Sequence, residues 1–251
     1  MESSAVTACV LVIGNEILSG RTQDINLNHI ALTLGGWGIQ VREARVIPDV
    51  PDVIIEAINT SRAVYDYVFT TGGIGPTHDD ITADCVAQAF AVPLIVNAEI
   101  AALIRQRPAP ADVMQARMRM ARIPRGGGLI ENLTGGPPGF YIENVYVMAG
   151  IPRVMQAMLA TLEDKLRRGP VVRSRSVTAF LGESQIAREL GEIQARFPGV
   201  DLGSYPFFKN DRYGTSLVMR GTDENLLDEM LEAVKTAIVA AGETPQDVQH
   251  G

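Results

Sequence analysis

The sequence predicts an α/β fold in which a parallel sheet carries helices on both faces. Residues 6–13 form an apolar run interrupted only by Thr7, as expected of a strand buried on both faces. After this run, strand-like and helix-like patterns alternate along the chain up to about residue 168. Alternation of this kind favours parallel strands that are joined by crossover helices.

Six elements are predicted in the first part of the chain. Apolar or alternating stretches indicate strands at residues 6–13, 39–47 and 67–70. Helical periodicity indicates helices at residues 22–37, 51–62 and 80–90. Gly35 and Gly36 are typical of a helix end, and Pro51 is typical of a helix start.

Shorter elements follow, and a second domain comes after them. We expect helical segments at 98–106 and 110–121, short strands at 129–130, 140–142 and 145–148, and a helix over 152–168. Residues 167–170, RRGP, indicate a linker. Beyond it, strands at 171–180, 200–205 and 215–220 and helices at 183–196 and 223–240 predict a small α+β domain. We therefore divide the chain into domains 1–168 and 169–251.

The composition favours an ordered, acidic protein of a reducing compartment. The formal net charge is −7, which disfavours the phosphate backbone of a nucleic acid as a partner. No apolar run reaches the roughly 18 residues of a membrane span, and the start MESS lacks the basic residues of a signal peptide. Cys9 and Cys85 lie in apolar runs without metal-ligand spacing, which predicts buried free thiols. We expect a cytoplasmic protein without a nucleic-acid or membrane partner.

The segment VFTTGGIGPTHDDIT, residues 68–82, is the strongest candidate for a ligand site. A predicted strand leads into a glycine loop, and the loop leads into a predicted helix start. Gly72, Gly73 and Gly75 permit positive φ angles and allow backbone N–H groups to approach a phosphate closely. The helix start adds partial positive charge. Hydroxyl donors are available from Thr70, Thr71 and Thr77.

Two nucleotide-binding motifs do not fit this loop. A Walker-type loop requires Gly-Lys-Ser/Thr, whereas Pro76 and Thr77 follow Gly75. The dinucleotide fingerprint requires a glycine where His78 stands, and it should follow the first strand. A tight strand-to-helix connection is the alternative interpretation of the glycines. The whole segment favours a phosphorylated nucleotide or pterin ligand.

Asp79 and Asp80 follow the glycine loop directly. Carboxylates repel a phosphate unless a divalent cation lies between them, and Mg²⁺ commonly uses one or two carboxylates together with substrate phosphates. The alternative is that one of the two aspartates is an N-cap of the following helix. We expect one aspartate to cap the helix and the other, Asp80, to serve chemistry.

Several other polar residues are weaker candidates. Glu16 follows the first strand, at the edge where open α/β sheets bind ligands. Asp49 ends the second strand, where it is either functional or an N-cap of the next helix. His78 is either a ligand or an exposed loop residue. Arginines at 117, 119, 122 and 125 either assist an anionic substrate or form a solvated face.

Four segments together resemble a known family. They are IGNEILSG (13–20), the TGG loop with DDIT (71–82), PPGF (137–140) and AGIP (149–152). This set resembles the molybdenum-cofactor biosynthesis domains of the MoaB/MogA type. It is still more similar to the CinA branch and to the N-terminal domain of eukaryotic FAD synthases. LGES at 181–184 resembles the small second domain of CinA-like proteins.

The resemblance implies a three-layer α/β/α molybdopterin-binding-like domain followed by a small α+β domain. It implies Asp49 and Asp80 as catalytic residues and Asp79, Asp80 and Glu16 as ligands of a divalent metal such as Mg²⁺. Ligand-binding positions would be Thr71, Gly72, Gly73, Gly75, Glu16, Ser19, Gly150 and Pro152. Relatives of this kind form dimers or trimers, so we expect a homo-oligomer.

Three functions are compatible with this resemblance. The first is metal-dependent hydrolysis of a nucleotide pyrophosphate such as ADP-ribose or FAD. The second is binding or adenylylation of molybdopterin. The third is a non-catalytic nucleotide- or pterin-binding module, which is favoured by Val154, because that residue stands where the CinA pattern has a glutamate. Ala149 and Pro137 also depart from the pattern, which has proline and alanine at these positions.

Overall fold

The computed structural model describes residues 5–247, and these fall into two compact units. The first unit extends to Gly169 and the second begins at Pro170. Each unit has its own hydrophobic core, and the first has one core on each face of its sheet. The units are described separately below.

The first unit is built on a six-stranded sheet with the order β2-β1-β3-β8-β7-β6. Strands β2, β1, β3 and β8 are parallel, whereas β7 and β6 are antiparallel to their neighbours. A separate antiparallel pair is formed by β4 and β5. The strands are β1 (Val6–Ile13), β2 (Ile39–Ile47), β3 (Tyr67–Thr71), β4 (Leu94–Val96), β5 (Arg122–Pro124), β6 (Gly128–Ile130), β7 (Gly139–Ile142) and β8 (Val145–Met148).

Helices cover both faces of this sheet and complete three layers. They are α1 (Asn15–Leu18), α2 (Asn26–Gly36), α3 (Pro51–Val64), α4 (Thr82–Ala89), α5 (Ala98–Arg105), α6 (Ala111–Met118) and α7 (Pro152–Ala160), with a 3₁₀ turn at Arg119–Ala121. On one face, Leu11 and Val68 pack with Ile58 of α3 and Val86 of α4. On the other face, α2 and α7 pack against Val10 and Phe69. The predicted α/β class is confirmed.

Several element predictions were wrong in detail. The sheet is mixed, because β6 and β7 return to β8 through hairpin-type connections. The β4–β5 pair was not predicted, since three-residue strands leave little periodicity to detect. The helix expected over 152–168 ends at Ala160, where the Thr161 hydroxyl donates to the carbonyl of Met158. Leu162 and Leu166 are buried in the turns that follow, so their spacing imitated a longer helix.

The second unit is a four-stranded antiparallel sheet with helices packed on one face. Its order is β10-β11-β9-β12, and the antiparallel hairpin β10–β11 is longer than predicted. The elements are β9 (Arg173–Ala179), a 3₁₀ turn (Glu183–Gln185), α8 (Ala187–Arg196), β10 (Val200–Lys209), β11 (Arg212–Gly221), α9 (Glu224–Ala240) and β12 (Gln246–Asp247). Asp223 caps α9 by accepting the N–H groups of Asn225 and Leu226.

The two cysteines are buried and unbridged, as predicted. Burial raises the pKa of the Cys85 thiol to about 11 and also raises that of Cys9, so both thiols stay protonated near neutral pH. Among the described residues, no helix has the length and apolar character that a membrane crossing requires.

Candidate functional site

The parallel strands β1, β3 and β8 end at the same edge of the sheet, at Ile13, Thr71 and Met148. The connections that leave these ends surround a pocket of about 610 Å³. Pockets at the carboxyl edge of parallel strands are the usual ligand sites of open α/β sheets. The glycine loop after β3 forms one wall of the pocket.

A positive φ and close packing require glycine at 72 and 73, and Gly75 lies close to a carboxylate. A Cβ added at Gly72 would lie 2.1 Å from the carbonyl oxygen of Ile13, and the φ angle there is +100°. At Gly73 the added atom would lie 2.2 Å from the Thr82 hydroxyl oxygen. At Gly75 it would lie 2.6 Å from a carboxylate oxygen of Asp80. Compact folding of the loop therefore explains the glycines before any ligand is considered.

The loop uses some of its backbone groups internally and leaves others without a partner. The Gly72 N–H donates to the carbonyl of Met148, 3.2 Å away. Thr82 donates its N–H to the Gly73 carbonyl and its hydroxyl to the Gly72 carbonyl, each at 3.0 Å. Across residues 5–247, by contrast, nothing accepts a hydrogen bond from the N–H groups of Gly73, Ile74 or Gly75. All three residues line the pocket, so this stretch of the wall carries three consecutive N–H groups without a protein partner.

Asp80 lies on the pocket wall and braces the loop. Its Oδ2 accepts the Thr77 N–H at 2.8 Å and the Thr77 hydroxyl at 2.5 Å. Its Oδ1 receives no hydrogen bond from the part of the chain that the structure describes. The expectation that Asp79 or Asp80 caps the next helix was wrong, because α4 begins at Thr82 after Ile81 and has no side-chain cap.

Asp79 and His78 do not line the pocket. The His78 side chain is 97% exposed, and its Nδ1 lies 3.9 Å from Oδ1 of Asp79. The pKa of Asp79 is lowered, first by the Thr77 hydroxyl, then by its own backbone N–H, with smaller contributions from His78 and Arg119. The structure therefore separates two adjacent aspartates, with Asp80 on the pocket wall and Asp79 largely in solvent.

Glu16 lines the pocket from the connection after β1. Its carboxylate folds back over Gly14, since a Cβ at Gly14 would lie 2.5 Å from each carboxylate oxygen. Ser19 lies at the exposed end of α1 and donates its hydroxyl to the Glu16 carbonyl. Asp49 does not cap α3; its Oδ2 accepts the N–H of Asn15 at 2.9 Å and so joins the ends of β1 and β2. Neither Ser19 nor Asp49 forms part of the pocket wall.

The connection after β8 supplies Gly150 and Pro152, and both line the pocket. The Gly150 carbonyl accepts a hydrogen bond of 2.8 Å from Nδ2 of Asn26, a buried residue that starts α2. Oδ1 of Asn26 is buried without a hydrogen-bond partner. Thr71 is buried in β3 and does not line the pocket. The candidate residues on the wall are therefore Glu16, Gly72, Gly73, Gly75, Asp80, Gly150 and Pro152.

The wall beyond the glycine loop combines two arginines with apolar side chains. Arg119 lies in the 3₁₀ turn after α6, and Arg122 begins β5. Asn132 shapes this wall, since its amide accepts from Thr134 and donates to the Pro137 carbonyl. The apolar lining comprises Ile74, Ala83, Met120, Pro138, Phe140, Ile151, Val154 and Met158. The pocket thus offers hydrogen-bond donors for an anion and an apolar surface for a ring.

The donor groups on this wall fit a metal that is held in part by its substrate. In residues 5–247, no three His, Cys, Asp or Glu side chains come together as a metal-binding group. Asp80 and Glu16 are the carboxylates on the pocket wall. Mg²⁺ typically takes one or two protein carboxylates and completes its shell with water and substrate phosphates. The pocket therefore suits a metal–substrate complex better than a metal held by the protein alone.

The sequence indicated the loop and Asp80, but it did not identify the opposite wall. The sequence left open whether the basic cluster that includes Arg119 and Arg122 assists an anionic substrate or forms a solvated face, and it gave no signal for Asn26. An asparagine or arginine becomes informative only when its spatial neighbours are known. For Arg122 and Asn26, those neighbours lie 38 and 124 residues away in the chain.

Two family matches cover most of the chain. Residues 9–168 match the family described as "Probable molybdopterin binding domain". Residues 171–247 match the middle domain of FAD synthase. A protein of Thermoplasma acidophilum is 32% identical over 245 residues, which is 94% of this chain and 94% of that protein.

Named relatives agree with these matches. A CinA-like protein of Gemmatimonas aurantiaca is 32% identical over 78% of this chain, and a probable FAD synthase of Caenorhabditis briggsae is 30% identical over 92%. The chain spans about half the length of each of these two relatives. A crystal structure of the protein CinA from T. acidophilum, of unknown function, has a TM-score of 0.60 and 35% identity, and covers 65% of this chain and 99% of its own. The chain therefore belongs to the molybdopterin-binding domain family, in its CinA-like branch.

Proposed function

We propose that this protein hydrolyses a nucleotide pyrophosphate of the ADP-ribose or FAD type and that it requires a divalent metal such as Mg²⁺. The observation that carries the proposal is the set of three unpartnered N–H groups, from Gly73 to Gly75, on the wall of a 610 Å³ pocket. Such groups bind a phosphate without a change in the fold, because packing against Ile13 and Thr82 already fixes the loop.

Each part of the pocket has a role in this reaction. The loop N–H groups orient the diphosphate, and the apolar wall around Phe140 and Met158 holds a ring and excludes water. Water adds to one phosphorus, the bond from that phosphorus to the bridging oxygen breaks, and AMP is one product. Oδ1 of Asp80, with the Glu16 carboxylate, would hold the metal. Bound there, a divalent metal would neutralise phosphate charge and act as a Lewis acid.

A direct assay tests this proposal. The purified protein is incubated with ADP-ribose or FAD in the presence of Mg²⁺, Mn²⁺ or Co²⁺, and AMP release is followed by chromatography. We expect metal-dependent AMP release that EDTA abolishes. The similarity to FAD synthases supports the inclusion of FAD. Absence of AMP with every substrate and metal would contradict the proposal.

Binding without turnover is a second candidate, and a specific observation favours it. Val154 places an apolar side chain on the pocket wall at the position where the CinA pattern has a glutamate, which leaves two carboxylates there. Under this alternative the pocket binds a nucleotide or molybdopterin, the latter with or without adenylylation by ATP. Ligand affinity without AMP release, or a fluorescent pterin that co-purifies with the protein, would support this alternative over hydrolysis.

A further inference from the structure

Arg119 and Arg122 line the same wall of the pocket, but their surroundings differ. Arg122 forms a two-pronged contact with the Asp84 carboxylate, with Nη1–Oδ1 and Nη2–Oδ2 distances of 3.3 and 2.9 Å. Paired in this way, Arg122 has its charge compensated and fixes β5 against α4. Its role in the fold is therefore accounted for without a ligand.

Arg119 has no such partner. Among residues 5–247, no carboxylate forms an ion pair with it, although the chain carries an excess of seven negative charges. Its Nε is buried and makes no hydrogen bond within the described part of the chain; Nε of Arg122 is likewise unpartnered, so the difference between the two arginines is the carboxylate that only Arg122 contacts. Asp79 interacts electrostatically with Arg119 but forms no ion pair with it. Partial burial of a guanidinium without a contacting carboxylate is costly, since the hydration that Nε loses is not replaced by a hydrogen bond. An anionic ligand would supply the missing partner.

The pocket therefore presents two separate sets of anion donors. One set is the run of loop N–H groups after β3, and the other is the Arg119 guanidinium in the turn after α6. These groups belong to different elements, and the pocket is far larger than one phosphate. A ligand with two linked phosphates would place one phosphate at each set, because a guanidinium and a run of amides each suit one phosphate group.

We propose that Arg119 binds the second phosphate of the ligand and thereby sets the preference of this pocket for nucleoside diphosphates over monophosphates. This inference rests on the proposed function, because it assumes that the loop N–H groups hold the first phosphate. It assigns Arg119 to ligand selection and does not require it to take part in bond breaking.

Isothermal titration of ADP and AMP into four forms of the full chain tests this assignment. The forms are the wild type, Arg119→Met, Arg119→Lys and Arg125→Met, each checked for folding by circular dichroism. Arg125 is an exposed arginine of the same segment that lies outside the pocket, so its substitution controls for the loss of one positive charge. Methionine keeps the apolar stem of the arginine side chain, and lysine keeps the charge without the planar fork.

For the wild type we expect ADP to bind at least about tenfold more tightly than AMP, because one additional charged hydrogen bond typically gives a difference of this size. Arg119→Met should bring the ratio of the two affinities close to one while AMP affinity changes less than about twofold, the range expected when no charged contact is lost. Arg119→Lys should give an intermediate ratio, and Arg125→Met should keep the wild-type ratio. If Arg119→Met fails to fold, a reduced ratio of ADP affinity to AMP affinity in Arg119→Lys supports the proposal in its place.

Three results would overturn the assignment. Equal weakening of ADP and AMP in Arg119→Met would show a general electrostatic effect, and an unchanged ratio would show that Arg119 does not contact the second phosphate. If the wild type still releases AMP from ADP-ribose in either case, only this inference fails. If the wild type binds neither nucleotide, this inference fails, and AMP release from ADP-ribose or FAD decides separately whether the proposed function stands.

Discussion

Arg175 of the second unit and Arg119 of the first differ in whether a carboxylate compensates their charge. In the second unit, Arg175 contacts Asp228 at 2.8 Å and Glu224 at 3.3 Å. In the first unit, Arg119 lies on a pocket wall without a carboxylate partner among the described residues. The same contrast holds for backbone donors, because the long β10–β11 ladder pairs its strands throughout, whereas the loop after β3 leaves three N–H groups unpaired.

This contrast underlies the proposed location of the ligand site. Polar groups that are satisfied within the protein contribute to folding, and groups left unsatisfied in a concave site are available to a ligand. Substitutions in both groups of residues test this division.

Gly72→Ala should destabilise the first unit by about 2–5 kcal/mol. Alanine is strained at the positive φ angle of this position, and its methyl group overpacks the loop. The added methyl group would lie 2.1 Å from the Ile13 carbonyl oxygen. Urea unfolding followed by tryptophan fluorescence reports on this unit, since Trp37 lies in it. Gly126→Ala is the matched control, because Gly126 has a φ of +88° but no atom near the added Cβ, so its cost should stay near 1 kcal/mol. Equal effects of the two substitutions would contradict the packing account.

Asp80→Asn should lower metal-dependent AMP release about a hundredfold or more, because the amide removes the charge that would face the metal. The fold should persist, since the amide oxygen still accepts the Thr77 N–H. Asp79→Asn is the matched control, because Asp79 lies outside the pocket wall, and its rate should stay within about threefold of wild type, as expected for a residue remote from the reacting groups. An equal loss of AMP release in the two variants would contradict the assignment of different roles to Asp80 and Asp79.

Asp66→Asn should destabilise the first unit by about 1 kcal/mol at neutral pH. The backbone N–H of Thr7 is the main cause that lowers the pKa of Asp66, with the Thr7 hydroxyl and Arg167 also contributing. The pKa of Asp66 is lower in the folded state than in the unfolded state. The carboxylate therefore contributes its full stabilisation above pH 3.8, the ordinary pKa, and this contribution is lost as the pH falls through the lowered pKa of the folded state. Urea titrations across acidic pH should show the wild type and the variant converging; a gap independent of pH would contradict this assignment.

Arg175→Met should have the smallest effect, a slight loss of stability in the second unit, because its carboxylate partners are largely exposed. The difference from wild type should shrink at high salt, as expected of screened surface charges. Nucleotide affinity should not change, in contrast to Arg119→Met. An effect of Arg175→Met on the ADP-to-AMP ratio would contradict the division between the two units.

The sequence predicted the main strands and the ligand loop because their signals are local. The apolar run from Val6 to Ile13 identified β1, and the glycines after β3 identified the loop. The β4–β5 pair and the shorter α7 escaped prediction, because three-residue strands lack a period and because Leu162 and Leu166 are buried at helical spacing outside a helix.

The opposite wall of the pocket could not be predicted from the sequence for a different reason. Nothing local distinguishes Arg119 from Arg122, since the distinction arises when Asp84 packs beside one of them. Asp49 was predicted to be either catalytic or an N-cap of the next helix, whereas it accepts the N–H of Asn15 across two strand ends and lies outside the pocket wall. Roles that depend on contacts between distant segments appear only in the folded chain.

The central claim is that the N–H groups of Gly73, Ile74 and Gly75 hold an anionic group of the ligand. Titration of ¹⁵N-labelled protein with ADP, followed by amide chemical shifts, tests it directly. We predict that these three resonances move downfield together, whereas Gly72, whose N–H already donates to Met148, and Gly199 of the second unit move little. Saturable ADP binding that leaves all three resonances in place would contradict the account.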